Sequence, residues 1–587
     1  MIDPSLLLIG ALAIVVVVAV FSHRTGVAAP LILLVAGVAA GFIPGMPDLT
    51  NIPPEILLDV ILPPLLYAAA VNLPAVDFRR NLPAIAGLSI VLVILTTAVT
   101  GLLLYAIFPN LNLAAALAVG AVISPTDAVA ATSIAKRLGL PERLVTVLEG
   151  ESLVNDATAL VVLRTAVAAI ALTSGGDATA DLQNVPALVG SIAGGFVFSV
   201  VVGAAIGAIV GYVTVAVRAR LSDPVLTTAI SFGVPFVAFL PADHLGASGV
   251  LATVIAGLIT GHRGATAFAP AQRVNDHTNW RTVQFLLEEG VFLVMGLEFK
   301  PLIDTLSGED TGTPAQAIGL GVLLTAVLVG LRALYVLVEL PVLRLRDRRR
   351  LGAEPRLEKF AERVEEFEPA TARQSGRKKR ATRGVAQRRA DLDFFRQNGL
   401  GLRGGTVIAW AGMRGVVTLA AAQSLPDDLE YRSLLIVIAF TVAVLTLLVF
   451  GGTLPLVIRL LGVQSDGQDA YQRELHGLLD HVNAASLSLL EDPTRTVVGG
   501  RPADPRVLEL LRDRFTRLDT SDEEPAGPSE TGLREQLVVL RRRMRDAARE
   551  ELQDARAVGA YSSRAISTAQ DLYDLADARE DRLAGEF

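Results

Sequence analysis

The sequence predicts an all-α polytopic membrane protein of about 13 transmembrane helices, built as two inverted six-helix repeats and followed by a small helical cytosolic tail. Three observations predict it. Of the 587 residues 52% are hydrophobic and the mean hydropathy is +0.50, too apolar for a soluble chain of this size. Runs of about 20 apolar residues, each long enough to span a bilayer as a helix, recur from residue 6 to about 461. Lys and Arg gather in alternate connections between these runs, as cytoplasmic loops do.

The expected spans lie near 6–22, 26–43, 55–72, 82–108, 112–136, 141–172, 188–217, 223–240, 246–262, 280–299, 316–341, 405–424 and 432–461. The first has no basic flank before it and no small-residue cleavage site after it, so it is expected to be a retained helix and not a signal peptide. Arg24, Arg79, Arg80, Lys136, Arg137, Arg143, Arg218, Arg220, Arg263, Arg273 and Arg281 mark one side of the membrane. Asp48, Asp177, Asp181, Asp243, Asp304 and Asp427 mark the other, with only Lys300 and Arg432 among them. One topology satisfies this pattern: a multi-pass protein of the cell membrane with its N-terminus outside and its C-terminus in the cytoplasm.

An odd number of spans permits two six-helix halves of opposite orientation, helices 1–6 and 8–13, with helix 7 between them. Helix 5 is interrupted by Ser124-Pro125-Thr126-Asp127, and its counterpart, helix 12, by Ala411-Gly412-Met413-Arg414-Gly415. Each break carries one charged residue. The domain boundaries follow: a transmembrane domain over 1–462, including a basic cytosolic loop at 343–403, and a cytosolic helical tail over 463–587. The loop holds Arg348–Arg350 and the run Arg377-Lys378-Lys379-Arg380, and reads first as a solvated loop and second as a contact for lipid headgroups. The tail shows helical patterns at 471–490, 505–518 and 533–557, separated by Pro/Gly/Ser/Glu-rich breaks. Cysteine is absent, which excludes disulfides, thiolate metal sites and cysteine nucleophiles.

Chemistry concentrates between Gly120 and Leu160. Charged groups at bilayer depth cost about 2.5–3.5 kcal/mol each on insertion scales, so they are functional candidates by default. Glu151, Ser152, Asn155 and Asp156 stand at i, i+1, i+4 and i+5 of one helix, a face spread over roughly 140°. Carboxylates, a hydroxyl and an amide are hard oxygen donors suited to a small alkali cation. Thr126 and Asp127 approach from the broken helix, whose freed carbonyls can complete the shell. The competing reading of this cluster is a buried polar network that merely locks two helices together.

Two carboxylates on adjacent turns repel, so one needs a permanent partner. The intramembrane candidates are Arg164, Arg332 and Arg414. Arg332, in the middle of GVLLTAVLVGLRALYVLVEL where snorkelling is difficult, is paired here with Glu151, leaving Asp156 as the exchanging group. A buried, unpaired Asp156 is costly when charged. Either a proton or a cation relieves that cost, and the two compete for the same oxygens. Asp59, Glu288 and Glu289 read as gate or packing residues, and His23, His244, His262 and His277 as ordinary interfacial histidines.

Three stretches, ISPTDAVA at 123–130, GESLVNDATA at 150–159 and AGMRGVVTLAAA at 411–422, resemble the monovalent cation:proton antiporters that include bacterial NhaP-type exchangers and animal sodium/proton exchangers. The resemblance covers about residues 5–461. It implies a homodimer in the lipid bilayer, a 13-helix fold with crossed, unwound helices 5 and 12, and no cofactor beyond the transported sodium and protons. By motif, Thr126, Asp127, Ser152 and Asp156 match the cation site, and Asn155 matches the partner of the essential Asp156. Glu151 and Arg332 match a structural ion pair, and Arg414 the basic residue at the crossing. Asn155-Asp156, in place of the Asp-Asp of electrogenic relatives, implies electroneutral one-for-one exchange.

The expected function is therefore secondary active exchange of a monovalent cation for a proton, sodium first, with lithium or potassium as alternatives. An intramembrane aspartyl hydrolase using Asp127 and Asp156 is a second reading, but the Gly-x-Gly-Asp motif is missing. An ATP-driven pump lacks a phosphate-binding GxxxxGK[ST] loop. A channel remains a further alternative.

Overall fold

Helices make up nearly all of the computed structural model, which describes residues 4–25, 27–43, 53–127, 129–173, 185–221, 223–309, 312–463, 468–516 and 531–584. Asp48, Asp177 and Asp181 of the expected outer connections lie outside these residues. The chain divides into two compact units, one of residues 1–347 and 398–465, the other of 348–397 and 466–587.

The first unit begins with α1 (Pro4–Thr25), α2 (Ala29–Gly41), α3 (Ile56–Asn72) and α4 (Ala75–Ile107). The last two contain wider π-type turns at Ile56–Ile61 and Gly87–Val91. Next comes α5 (Leu113–Ile123), started by Asn112, whose side chain accepts from the Ala115 amide. It is apolar all round and buries every residue except Leu117, as a central helix must. Pro125 stops it, and the chain resumes as α6 (Val129–Arg137). Gly139, with φ of 67°, closes α6, and the Leu140 amide donates back to Ala135 at 3.0 Å. Pro141 then leads into α7 (Glu142–Thr173).

The remaining helices of this unit are α8 (Val185–Arg218), α9 (Pro224–His244), α10 (Gly249–Ala267), α11 (Pro270–Leu297), α12 (Phe299–Ser307) and α13 (Pro314–Leu351). Asp223 and Ser248 cap α9 and α10. Several helices outrun the expected spans: hydropathy ends where charges begin, but α13 continues through Arg344–Arg350 because those residues are good helix formers. Between α2 and α11 the backbones nearly touch. A methyl on Gly37 would lie 2.9 Å from the Gly296 Cα, and one on Gly296 2.8 Å from the Gly37 Cα.

After α14 (Glu354–Glu366) and α15 (Ala372–Gln397) of the second unit, the chain returns as α16 (Leu402–Trp410), α17 (Val416–Gln423) and α18 (Arg432–Leu461). One large apolar core joins α5, α7, α13 and α18. The apolar stretches of α7 and α18 are 67% and 72% buried, against 28% in α8, so the first two are central and α8 is peripheral. Among the described residues six helices are long and apolar enough to cross a membrane, and four apolar helices are shorter.

In the second unit, α14 (Glu354–Glu366) and α15 (Ala372–Gln397) form a helical hairpin. Leu357, Ala361 and Val385 pack inside it, and Arg396 grips Glu354 with two hydrogen bonds of 2.8 and 2.7 Å. The 343–403 stretch, expected from the sequence as a solvated loop, is mostly helix, and most of its residues are at least partly exposed. The tail adds α19 (Gln468–Glu491), a two-strand hairpin turning on Gly499 and Gly500, α20 (Pro505–Thr516), α21 (Thr531–Val558) and α22 (Ser563–Ala584). α15 binds α21 directly, with Arg383 on Asp554 at 2.8 Å and Gln387 donating to the Ala557 carbonyl at 2.8 Å. α22 was not among the expected patterns. Its many charges mask a thin apolar stripe, including Ala565, Ile566 and Ala569, that packs on α19 and α21.

Candidate functional site

The two breaks meet. Between α5 and α6, the amide of Asp127 donates to the carbonyl of Met413 at 2.7 Å, in the segment between α16 and α17. Arg414, 1% exposed, donates from Nε to the Ile123 carbonyl at 3.3 Å and from Nη1 to Gly412 at 2.6 Å. Its own amide donates to Thr446 Oγ1 of α18 at 3.0 Å. A buried guanidinium thereby occupies carbonyls that the interrupted helices leave without helical partners. Two glycines make this fit possible. A methyl on Gly415 would lie 2.7 Å from Asp127 Cβ, and one on Gly412 would lie 2.6 Å from Arg332 Cδ.

The polar residues of α7, which the sequence put on one broad face, divide into two stripes. Glu151 and Asn155, each 1% exposed, point into protein. Arg332 of α13 holds Glu151 with two hydrogen bonds, the one to Oε2 at 2.8 Å, and also donates to the Ile408 carbonyl from Nε and Nη2. Thr126 Oγ1 donates to Glu151 Oε1 at 2.8 Å, and Ser89 Oγ to the Glu151 carbonyl at 2.9 Å. Asn155 Nδ2 reaches Thr126 Oγ1 at 2.8 Å and the Thr126 carbonyl at 3.1 Å. This stripe is a hydrogen-bonded network in which both Glu151 carboxylate oxygens have partners.

The second stripe, Ser152 and Asp156, faces a cavity of about 800 Å³. Thr126, Asp127, Gly415 and Thr418 also line it. Asp127 Oδ1 accepts the Val129 amide at 2.9 Å and starts α6, while Oδ2 is buried with no protein partner. Asn155 Oδ1 is likewise buried without a donor. Asp156 is 8% exposed, and among the described residues no hydrogen bond or ion pair reaches it. Carboxylate oxygens of Asp127 and Asp156 and the hydroxyls of Ser152 and Thr126 therefore line one cavity, and among the described residues no protein cation is paired with either aspartate. That donor set suits a hard monovalent ion or a proton.

Toward its other end the cavity is lined by Lys136, Arg137, His277 and Arg281. Glu288 and Glu289, read from the sequence as gate or packing residues, line it as well. Glu288 accepts from Gln284 at 2.7 Å, and Glu289 is 8% exposed with Oε2 unpartnered. Asp59 does not line the cavity. Arg164, one of the three arginines considered as partners for the acids of α7, instead pairs with Asp243.

A family model described as "Sodium/hydrogen exchanger, transmembrane" matches residues 10–460. The chain belongs to the sodium/hydrogen exchanger family. An uncharacterized Na(+)/H(+) exchanger of Mycobacterium tuberculosis is 32% identical over 474 residues, 80% of this exchanger and 76% of the relative. The Na(+)/H(+) antiporter ApNhaP of Aphanothece halophytica is 27% identical over 77% of this chain and 75% of its own. Among solved structures, the sodium proton antiporter MjNhaP1 from Methanocaldococcus jannaschii matches with a TM-score of 0.52 at 14% identity, covering 77% of this chain and 97% of that one. At that identity the likeness shows the fold. The exchanger is a multi-pass membrane transporter for cation/proton antiport, and the hydrolase reading falls with the family.

Sequence reasoning on the exchanger passed over Gly412 and Gly415 as site residues. The signal was present, since both flank the charged residue of a helix break, but what each gives way to is a tertiary fact. Glu289 was read with Asp59 and Glu288 as a gate or packing residue, and it lies in the lining of the cavity that Asp156 also lines.

Proposed function

We propose that the chain exchanges a monovalent cation, sodium first, for a proton across the cell membrane, one for one, with both ions competing for Asp156. One observation carries this reading. Asp156 is buried in the lining of a cavity that Asp127, with its unpartnered Oδ2, also lines, while the guanidinium of Arg332 is committed to Glu151 and that of Arg414 to backbone carbonyls. A negative charge so placed is neutralised by a proton or by a cation, and burial makes the empty charged form the costly one.

If only the neutralised site crosses between the two openings, exchange is obligatory and leak is suppressed. Ser152, Thr126 and Asp127 supply further oxygens for sodium, with Asn155 beside them. Glu151 with Arg332, and Arg414 at the crossing of the two breaks, are the fixed charges that hold this frame. Alternating access would move the broken helices as a bundle against a scaffold, within thirteen helices arranged as two inverted six-helix halves. The working unit is a homodimer in the lipid bilayer, with N-terminus outside and C-terminus in the cytoplasm. On that topology Lys136, Arg137 and Arg281 lie on the cytoplasmic side, which makes the cavity an inward-facing one.

Potassium is the second reading, because the same oxygens serve both ions and cavity size decides. A relative from Bacillus subtilis, 26% identical over 73% of this chain, carries the name sodium, potassium, lithium and rubidium/H(+) antiporter. Purified protein in liposomes, pulsed in turn with sodium, lithium and potassium, tests both readings. The proposal expects proton movement with sodium in wild type and none in Asp156→Asn. Equal proton movement in that variant sinks the assignment to Asp156, and movement with potassium alone transfers the substrate to potassium.

A further inference from the structure

Arg143 is the second residue of α7, near the end of the site helix remote from Arg164, and nothing in the exchange mechanism uses it. Its guanidinium is 3% exposed and spends all three nitrogens on three different segments. Nε donates to Asn81 Oδ1 of α4 at 2.9 Å, Nη2 to Asp347 Oδ2 of α13 at 3.0 Å, and Nη1 to the Asn398 carbonyl at 2.7 Å. Asn81, itself 1% exposed, is fixed in turn by its donation to the Asp77 carbonyl at 3.0 Å. Close by, Arg344 Nε donates to the Leu400 carbonyl at 2.9 Å.

Asp347 and Asn398 are not arbitrary partners. They are the last residue of the membrane unit before the 348–397 insertion and the first residue after it. One side chain therefore pins both ends of the insertion to the base of the helix that carries Glu151, Ser152, Asn155 and Asp156. Asp156 follows Arg143 by about 20 Å of helix, a length over which a packed helix moves as a rod. Asn398 is followed within four residues by α16, which leads into the break at Gly412–Gly415. The helix that carries Asp156 and the helix that leads into the second break thus rise from one buried charged anchor.

From this geometry we infer that Arg143 is a positioning residue: it sets α7 and α16 relative to each other and so sets the cation affinity of a site it does not touch. Two of the chain's three crossings between the units terminate at it, so a force on the insertion enters the membrane unit at the foot of the ion-binding helix. The planar fork is what the role needs, since a Lys ammonium supplies a charge to Asp347 but cannot reach three acceptors in fixed directions.

The inference rests on the reading that Asp156 carries exchange, and the test separates the two. Full-length wild type, Arg143→Ala, Arg143→Lys, Asp347→Asn, Asn81→Ala and Asp156→Asn are reconstituted and assayed for sodium-driven proton movement, with melting temperatures measured in detergent. Arg143→Ala is expected to raise the apparent sodium KM about tenfold with the maximal rate changed far less. Arg143→Lys is expected to recover part of that loss. Adding Asp347→Asn to Arg143→Ala should raise KM no further, because the interaction is already gone. A folded Arg143→Ala with wild-type KM overturns the inference, as does full additivity with Asp347→Asn. If Arg143→Ala fails to fold, Asp347→Asn and Asn81→Ala, each removing one arm, decide it: wild-type KM in both overturns it. Wild-type exchange in Asp156→Asn instead overturns the reading of the site and leaves the KM comparison to judge Arg143 on its own.

Discussion

Glu151 and Asp156 lie five residues apart on one helix, both buried, and live in opposite circumstances. Glu151 accepts two hydrogen bonds from Arg332 and one from Thr126, so its charge is permanently answered. Asp156 receives nothing from the protein and faces a cavity with unpartnered oxygens around it. The difference teaches that burial does not assign a role to an intramembrane acid; the partner does. A buried charge with its own counter-ion holds the frame, whereas the buried charge without one is the group to which the proposed function assigns the exchanged ions.

Breaking the first region should cost the fold. Removing one partner of a buried ion pair leaves an uncompensated charge worth about 3–5 kcal/mol, so Glu151→Gln should give a large drop in melting temperature and in folded yield. Asp156→Asn removes a charge that had no partner, and its melting temperature should match or exceed that of wild type while exchange is lost. A Glu151→Gln protein as stable as wild type would erase the contrast.

The next largest effect concerns the crossing. Gly415→Ala puts a methyl 2.7 Å from Asp127 Cβ, and relief of that overlap should cost about 1–3 kcal/mol and displace the Asp127 carboxylate. Exchange should fall far more than stability, read as transport rate per folded molecule. Glu289→Gln should act more mildly, raising the apparent sodium KM a few-fold by removing an unpartnered carboxylate from the approach to the site. The smallest effect belongs to Arg164→Ala. Its pair with Asp243 is part exposed, and such pairs contribute about 0–1 kcal/mol, so both melting temperature and exchange should stay close to wild type.

Much of the membrane unit was legible because its signals are local. Apolar runs gave the helices, Ser124-Pro125 and Gly412-Met413-Arg414-Gly415 marked the breaks, and an arginine in mid-span at Arg332 demanded an acid. What the sequence left open depends on rotation and on distant contacts. The broad face of α7 is two stripes, and the sub-turn rotation that separates Asn155 from Asp156 is set by packing against Thr126 and Arg332. Hydropathy reads the 343–403 segment as solvent-facing because its core is three side chains, yet that suffices to order a helical hairpin that also binds the tail. Arg143 looked like one more positive-inside residue until Asn81, Asp347 and Asn398 appeared around it.

The central claim is that a proton and a cation compete for Asp156, and the pH dependence of sodium affinity tests it most directly. In proteoliposomes with the cytoplasmic side accessible, lowering the pH should raise the apparent sodium KM, by up to about tenfold per pH unit once the proton dominates, while the maximal rate at saturating sodium stays constant. A sodium KM that is independent of pH, with only the maximal rate falling, would place the two ions on different sites and contradict the account.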